Sequence, residues 1–169
     1  MEWLLAIWEV ILERSVYFDV FDGSGWPELS ELEPFFLTQK GHEWSYKGGN
    51  DSWGLDAQGL YGTQNLPRQD RVNVHLYMIG SPVHGVFLQY SKWDGRIKKK
   101  DTYYSKGDLG RLREFVRSLH GTPLAVGLFI PFVDAWKAVK EFIETDAELP
   151  KSIQWVASED LPPETFPDP

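Results

Sequence analysis

The sequence contains no cysteine, and this absence excludes several kinds of site at once. A chain of 169 residues without cysteine has no disulfide framework, no thiolate metal site and no cysteine nucleophile. The absence suits a reducing compartment, so we expect a cytoplasmic protein. A chain of this length can bury roughly two thirds of its unfolded surface without covalent cross-links. We therefore expect a single domain over residues 1–169, with an extended, acidic, proline-rich tail from about residue 157.

Long apolar runs are also missing. Residues 1–15 carry apolar side chains at helical spacing, but Glu2, Glu9 and Glu13 interrupt them. No basic segment precedes this stretch and no small-residue cleavage site follows it, so we expect an amphipathic surface helix and not a signal peptide. The longest uncharged apolar run falls far short of the roughly 20 residues that span a bilayer. We therefore expect no membrane partner.

Negative charge dominates both ends of the chain. The net charge is −8. Residues 1–40 carry eight acidic and two basic side chains, residues 41–140 carry nine and fourteen, and residues 141–169 carry eight and one. A net-acidic protein is attracted to basic partners and repelled by nucleic acid phosphates, although the same charge also serves ordinary solubility.

The middle of the chain predicts three antiparallel strands, at residues 71–79, 84–93 and 97–104. In the first, Val72, Val74 and Leu76 alternate with polar residues, which is the period of a strand with one buried face. Asp94-Gly95 predicts a two-residue type I′ hairpin between the second and third strands. The lysines of the third strand indicate an exposed edge.

The remaining patterns complete an α+β fold. We predict strands near 15–21, 123–130 and 152–156, and helices over 28–38, 108–119 and 132–145, the first limited by Pro34 and the second capped by Asp108. Residues 41–70 fit short strands or an irregular loop equally well. The expected architecture is a mainly antiparallel β-sheet with two or three helices packed against it.

The sequence offers few candidates for catalysis or metal binding. Of four scattered histidines, His75 and His84 fit facing strands and form the best metal or acid–base pair, although a single hydrogen-bonded or exposed histidine is the ordinary alternative. Glu43, Asp51 and Asp56 lie near aromatic residues, as in a glycosidase site or in a solvated loop. Phosphate-binding and nucleophile-elbow motifs are absent. We therefore assign no catalytic residue, metal or cofactor, and expect no enzyme.

A basic hairpin is the one feature typical of nucleic acid binding. Its cations, with two aromatic neighbours, are Lys92, Arg96, Lys98, Lys99, Lys100, Tyr103 and Tyr104. The acidic ends of the chain oppose phosphates, so we expect a solvated edge strand and no nucleic acid partner.

Aromatic residues beside carboxylates predict a protein-binding surface for a basic partner. The sequence has eight tryptophans, and Trp44, Trp53 and Trp93 lie in polar segments or beside a turn. Such aromatic side chains are typical anchors of protein interfaces. The predicted contact residues are Asp51, Trp53, Asp56, Trp93, Glu159 and Asp160.

The C-terminal third resembles a known family. Pro131 precedes a predicted helix that carries Phe142 near its end, and Pro150 precedes a short strand that contains Trp155. This order resembles the first-numbered family of immunity proteins from bacterial polymorphic toxin systems. The likeness covers residues 71–157 at most and is firm over 130–156, and the first 70 residues show nothing of the family.

The resemblance implies a non-enzymatic inhibitor. Such a protein binds a toxin made by the same cell, often a nucleic acid deaminase or nuclease, and covers its active site. We assign the matched residues Phe142 and Trp155 to the core. The alternatives are a carbohydrate-active or other small enzyme using the tryptophan-rich loop, a nucleic-acid-binding module using the lysine hairpin, and a structural subunit of a larger assembly.

Overall fold

The computed structural model describes residues 13–18, 20–38 and 51–169. The helix predicted at the N-terminus lies almost entirely outside these residues, as do Glu43 and Trp44.

The described elements comprise nine strands and three α-helices. The strands are β1 (Arg14–Tyr17), β2 (Ser52–Ala57), β3 (Val72–Ser81), β4 (Gly85–Asp94), β5 (Lys99–Ser105), β6 (Phe115–Arg117), β7 (Pro123–Ala125), β8 (Phe129–Ile130) and β9 (Trp155–Ala157). The helices are α1 (Leu29–Leu32), α2 (Pro34–Leu37) and α3 (Phe132–Glu144). Within these residues no helix has the length and apolar character that a membrane span requires.

The strands form a main sheet in the order β1-β2-β3-β4-β5-β9, with β8 paired to β4. Every pairing is antiparallel, and β6 and β7 form a separate two-stranded sheet. The predicted α+β class is therefore confirmed, as are the three central strands and the helix near 132–145. The first strand is shorter than predicted, and the helix predicted over 28–38 divides at Glu33 into α1 and α2.

The helices cover one face of the main sheet, which we call the core face. Leu32 of α1, Phe36 of α2 and Phe142 of α3 are almost fully buried there. Phe36 lies between two tryptophans, with ring centroids 5.4 Å from Trp136 and 5.8 Å from Trp53. The alternating apolar residues of β2, β3 and β4 point at these helices, as period-two patterning requires.

The hairpin at Asp94 is real, but its predicted two-residue turn is wrong. Asp94 pairs with Lys99, so four residues form the loop. The Asp94 carboxylate accepts the backbone N–H of Arg96 at 3.0 Å, and Lys98, not Gly95, takes a positive φ of 52°. Gly95 is needed for another reason, because a Cβ there would collide with the backbone of Asp70.

The helix predicted over 108–119 is also wrong. Asp108 caps a single 3-10 turn, Leu109–Arg111, and the chain then enters β6. Phe115 is 42% and Leu119 60% exposed, so the apolar residues at helical spacing share no buried face. Pairing of β6 with β7 takes precedence over the local pattern.

The apolar segment 123–130 is not one strand. It runs through β7, a 3-10 turn at Val126–Leu128, and β8, and so passes from the small sheet to the main sheet. A Cβ at Gly127 would collide with the backbone of Asp108, so the close approach of these two segments requires glycine there.

The C-terminal tail packs on the protein and is not simply extended. It forms two 3-10 turns, Ser158–Asp160 and Pro163–Thr165. Leu161 is buried, and the Phe166 ring lies 4.9 Å from that of Tyr104. The tail therefore contributes to the second core described below.

Candidate functional site

The described residues cover only one half of the face of the main sheet that lies opposite the helices. At one end Ile79, Phe87 and Tyr104 are buried in a second apolar cluster. The residues that bury them come from the small sheet, the following turn, β8 and the tail: Leu124, Ala125, Leu128, Phe129 and Leu161. At the other end the described residues place no second layer on the strands.

The uncovered half presents rows of aligned side chains. Antiparallel register aligns Asp56 with His75, His75 with Ser91, and Ser91 with Thr102. The neighbouring row aligns Asn73 with Trp93 and Trp93 with Lys100. Paired residues lie on the same side of a sheet. We call this surface the open face; its side chains are Tyr17, Asp56, Asn73, His75, Tyr77, Ser91, Trp93 and Lys100.

A short hydrogen bond joins two residues of the open face. His75 Nδ1 lies 2.5 Å from Asp56 Oδ1, so the imidazole donates to the carboxylate. The two side chains are 41% and 31% exposed, respectively. This contact fixes the orientation of His75 and engages one oxygen of Asp56.

Gly54 makes room for the His75 ring. A Cβ at position 54 would lie 2.9 Å from His75 Cε1, so the imidazole leans over β2 and directly above the glycine. The ring stacks beside Tyr77, with centroids 6.0 Å apart and planes at 22°. Burial is the main cause that raises the pKa of Tyr77. The phenol therefore stays neutral at physiological pH.

A pocket of about 190 Å³ opens at the end of the open face, and we call it the end pocket. Its lining consists of Asp56, Gln58, Arg68, Asn73, Val74, His75, Ser91, Trp93 and Lys100. Trp93 forms part of its wall and is held in place because its indole N–H donates to the carbonyl of Gln69 at 3.0 Å. The end pocket thus brings together Asp56 and Trp93, two of the predicted contact residues.

The other predicted contact residues lie elsewhere. Trp53 is 1% exposed on the core face, which corrects its assignment to a contact surface. Asp51 is 5% exposed, and its Oδ2 accepts the backbone N–H of Leu119 at 2.8 Å, so it links β2 to the turn between β6 and β7. Glu159 and Asp160 are exposed just after β9. Four strand spacings separate β9 from β2, about 19 Å, so the predicted residues do not form one site.

The predicted histidine pair does not form. His75 pairs with Ser91 across the hairpin, whereas His84 lies in the turn at the far end of β3. Among the residues that the structure describes, no group of three or more His, Asp or Glu side chains could hold a metal ion.

The glycosidase-like arrangement also lacks its geometry. Asp51 and Asp56 are five residues apart along extended chain, about 17 Å, which exceeds the separation of paired catalytic carboxylates, at most about 9.5 Å. Glu43 lies outside the described residues.

Most cations of the basic hairpin already have partners. Lys98 forms an ion pair with Asp70, Lys99 with Asp101, and Arg96 with Asp94. Tyr103 packs against the core and Tyr104 is buried, so neither forms a stacking platform. Lys92 and Lys100 form no ion pair with the described part of the chain. Neither does Arg68, which lies outside the hairpin and lines the end pocket together with Lys100.

Sequence patterns alone do not identify His75 as the partner of Asp56. They also do not identify Tyr17 and Tyr77 as residues of the open face, or Arg68 as a residue of the end pocket. Alternation places His75 and Tyr77 on one face of β3, which was a usable signal. Their approach to Asp56 and Tyr17 depends on the register between β1, β2 and β3. No tight turn fixes that register, because about 34 residues of sequence separate β1 from β2 and about 14 separate β2 from β3.

The motif residues that carried the family resemblance are structural. Phe142 is fully buried, and the Trp155 indole N–H donates to the carbonyl of Pro150 at 2.7 Å. Trp155 also contacts Tyr90 edge-on, with ring centroids 6.2 Å apart. These contacts fasten the strand after α3 to the sheet, in agreement with their assignment to the core.

Searches against protein-family models, curated proteins and solved structures find no match to this chain.

Proposed function

We propose that the protein is an immunity protein that binds a toxin made by the same bacterium and blocks the toxin's active site without catalysing a reaction. The toxin in this proposal acts on nucleic acid, as a deaminase or a nuclease. The resemblance over residues 130–156 suggests the class. The observation that carries the proposal is the open face, a half-sheet on which the described residues place no second layer and whose side chains are of the kinds that anchor protein interfaces.

The composition of the open face supports recognition of a protein. Tyr17 is 58% exposed, and Tyr77 and Trp93 are partly exposed elsewhere on the same face. Trp, Tyr and Arg are the residue types most enriched at energetic hot spots of interfaces, and Arg68 lines the adjoining end pocket. Because β3 and β4 are hydrogen-bonded to neighbouring strands on both sides, Tyr77 and Trp93 stand on a rigid support, which lowers the entropy lost on binding.

The charge of the chain supports a basic partner. Acidic side chains are concentrated near the end of α3 and in the tail, where Glu144, Glu148, Glu159 and Asp160 are exposed. A net charge of −8 accelerates encounter with a positively charged surface at low salt. Toxins that hold nucleic acid need such a surface. The proposal therefore matches the acidic charge of this chain to the basic surface of the toxin.

Two geometric facts favour binding over catalysis at the open face. The His75 ring leans toward β2, and therefore away from Ser91 on β4, so the aligned Asp56, His75 and Ser91 do not form a proton relay to a nucleophile. Asp51 and Asp56 are also too far apart to act as a carboxylate pair.

The test uses the tagged protein to capture partners from lysate of its native bacterium, followed by co-expression with the captured toxin domain. We expect one stoichiometric partner, and we expect co-expression to restore growth. Tyr17→Ala and Trp93→Ala should each abolish rescue. Tyr61→Ala is the matched control, because Tyr61 has the same residue type and the same 58% exposure but lies outside the open face.

The proposal fails if no captured protein is toxic, or if none is neutralised on co-expression. Rescue that survives both open-face substitutions, or that Tyr61→Ala abolishes equally, would move the contact surface elsewhere and remove the observation on which the proposal depends.

A further inference from the structure

The end pocket differs in charge from the molecule that carries it. The chain as a whole is strongly acidic, yet the pocket is lined by two cations, Arg68 and Lys100. Neither cation is paired with a carboxylate in the described residues, whereas Lys98, Lys99 and Arg96 next to them are. Two unpaired cations facing one concave site favour an anionic occupant.

Neutral groups around the pocket also have hydrogen-bond donors to offer. The side-chain oxygen of Asn73, Oδ1, accepts a hydrogen bond from the backbone N–H of Gly59 at 3.1 Å. The side-chain NH₂ group of Asn73 therefore remains available to donate. Ser91 Oγ accepts from the Gln89 amide at 3.3 Å, which leaves the Ser91 hydroxyl hydrogen to donate.

Asp56 is the acidic residue of the pocket, and His75 engages it. Its Oδ1 accepts the hydrogen bond from His75 Nδ1 at 2.5 Å. Arg68 and Lys100 outnumber this one carboxylate, so the formal charge of the lining is positive.

Trp93 supplies an apolar wall. Its only polar atom, Nε1, already donates to Gln69, so the indole face is what it offers to an occupant. A side chain with a short aliphatic stem and an anionic end matches an indole wall beside two cations.

From this arrangement we infer that the end pocket binds a carboxylate side chain, a glutamate or aspartate, presented by the protein partner. Its stem packs on Trp93 and its carboxylate accepts hydrogen bonds from Arg68 and Lys100. The inference rests on the proposed function only for the origin of the carboxylate in a toxin. It also gives the interface two signs of charge: acidic surfaces that attract the toxin at long range, and a basic pocket that selects one acidic residue at contact.

The first experiment needs no toxin. The isotopically labelled full-length protein is titrated with N-acetylglutamate N-methylamide, with the glutamine analogue as the uncharged control probe. The Trp93 indole N–H is the reporter, assigned among the eight tryptophans by Trp93→Phe. We expect saturable shifts of this signal with the glutamate probe and little change with the glutamine probe.

Charge-removing variants then test which groups bind. Arg68→Gln and Lys100→Gln should each raise the dissociation constant of the glutamate probe about tenfold, because each variant loses one hydrogen bond to a charged group. Lys137→Gln, on the exposed side of α3, is the matched control and should leave binding unchanged.

Several results would overturn the inference: equal shifts with both probes, no shift with either, or unaltered binding in both pocket variants. Tighter binding of inorganic phosphate or of an oligothymidylate would also overturn it, and would assign the pocket to a phosphate ion or to single-stranded nucleic acid. These outcomes are independent of the capture experiment, so failure of the pocket and failure of the proposed function are distinguishable.

Discussion

Trp53 and Trp93 lie on opposite faces of one sheet, and they differ in burial and in what they contact. Trp53 is 1% exposed and packs between Phe18 and Phe36, at ring centroid distances of 5.6 and 5.8 Å. Trp93 is partly exposed, donates one hydrogen bond to the carbonyl of Gln69 and forms part of the wall of the end pocket. The core face stabilises the fold through burial, whereas the open face keeps large side chains available to a partner.

The largest effect should come from the core face. Trp53→Ala removes a buried aromatic side chain and leaves a cavity, so we expect a loss of about 3–5 kcal/mol in the free energy of unfolding. Urea denaturation followed by circular dichroism measures it. A loss below about 1 kcal/mol would show that the site collapses around the cavity or that the two faces do not differ in this way.

Asp51 should behave as a structural residue although it was predicted to contact a partner. Asp51→Ala leaves the Leu119 N–H without its acceptor and should cost about 1–3 kcal/mol. Asp51→Asn keeps an acceptor oxygen and should cost less. Full stability of the alanine variant, together with loss of toxin binding, would instead return Asp51 to the contact surface.

The buried hydroxyl of Tyr90 on the core face should make the stability of the protein depend on pH. Its hydroxyl donates to the Ala147 carbonyl at 2.8 Å, so Tyr90→Phe should cost about 1 kcal/mol. Burial raises the pKa of Tyr90 above that of an unfolded tyrosine. The stability from the neutral phenol is therefore complete below about pH 10, the ordinary tyrosine value, and is lost as pH rises further toward the folded pKa.

The matching measurement is the free energy of unfolding of wild type and Tyr90→Phe between pH 8 and 11. Wild type should lose stability more steeply above about pH 10. Parallel curves would show that Tyr90 ionises as easily in the folded as in the unfolded chain.

The smallest effect on stability should come from the open face. Tyr17 is 58% exposed on an edge strand, so Tyr17→Ala should change the free energy of unfolding by less than about 1 kcal/mol. The same variant is expected to abolish toxin neutralisation. Destabilisation comparable to that of Trp53→Ala would remove the distinction between the two faces.

The sequence was informative where local pattern and tertiary packing agree. The strand β3 alternates with period two, Asp94-Gly95 marks the hairpin between β4 and β5, and the apolar stripe of α3 faces the sheet, so these elements are predicted with nearly correct bounds. It misled where contacts between distant segments decide the conformation. Leu109, Leu112 and Phe115 fit a helix, but backbone pairing of β6 with β7 determines the conformation of that segment.

The candidate site could be predicted only in part for the same reason. Asp56 and Trp93 were chosen for residue type, and they meet because two strand registers bring them to one pocket. Asp51 and Trp53 were chosen on the same grounds from the same segment, yet Trp53 points to the opposite face and Asp51 is buried at the far end of β2. Residue type identifies candidates, whereas register and layer decide which of them reach solvent.

The pairing of β5 with β9 has a consequence for the order of synthesis. Tyr103, Tyr104 and Ser105 pair with Ala157, Val156 and Trp155, respectively, which emerge from the ribosome about 50 residues later. In contrast, β3, β4 and β5 are joined by short loops and can pair as soon as they emerge. In the nascent chain, β3, β4 and β5 can therefore form a three-stranded meander. Its β5 edge lacks the β9 strand until translation reaches Trp155. The lysines at the start of β5 lie on the part of this edge that β9 never covers, and their charge protects it from intermolecular pairing during this interval.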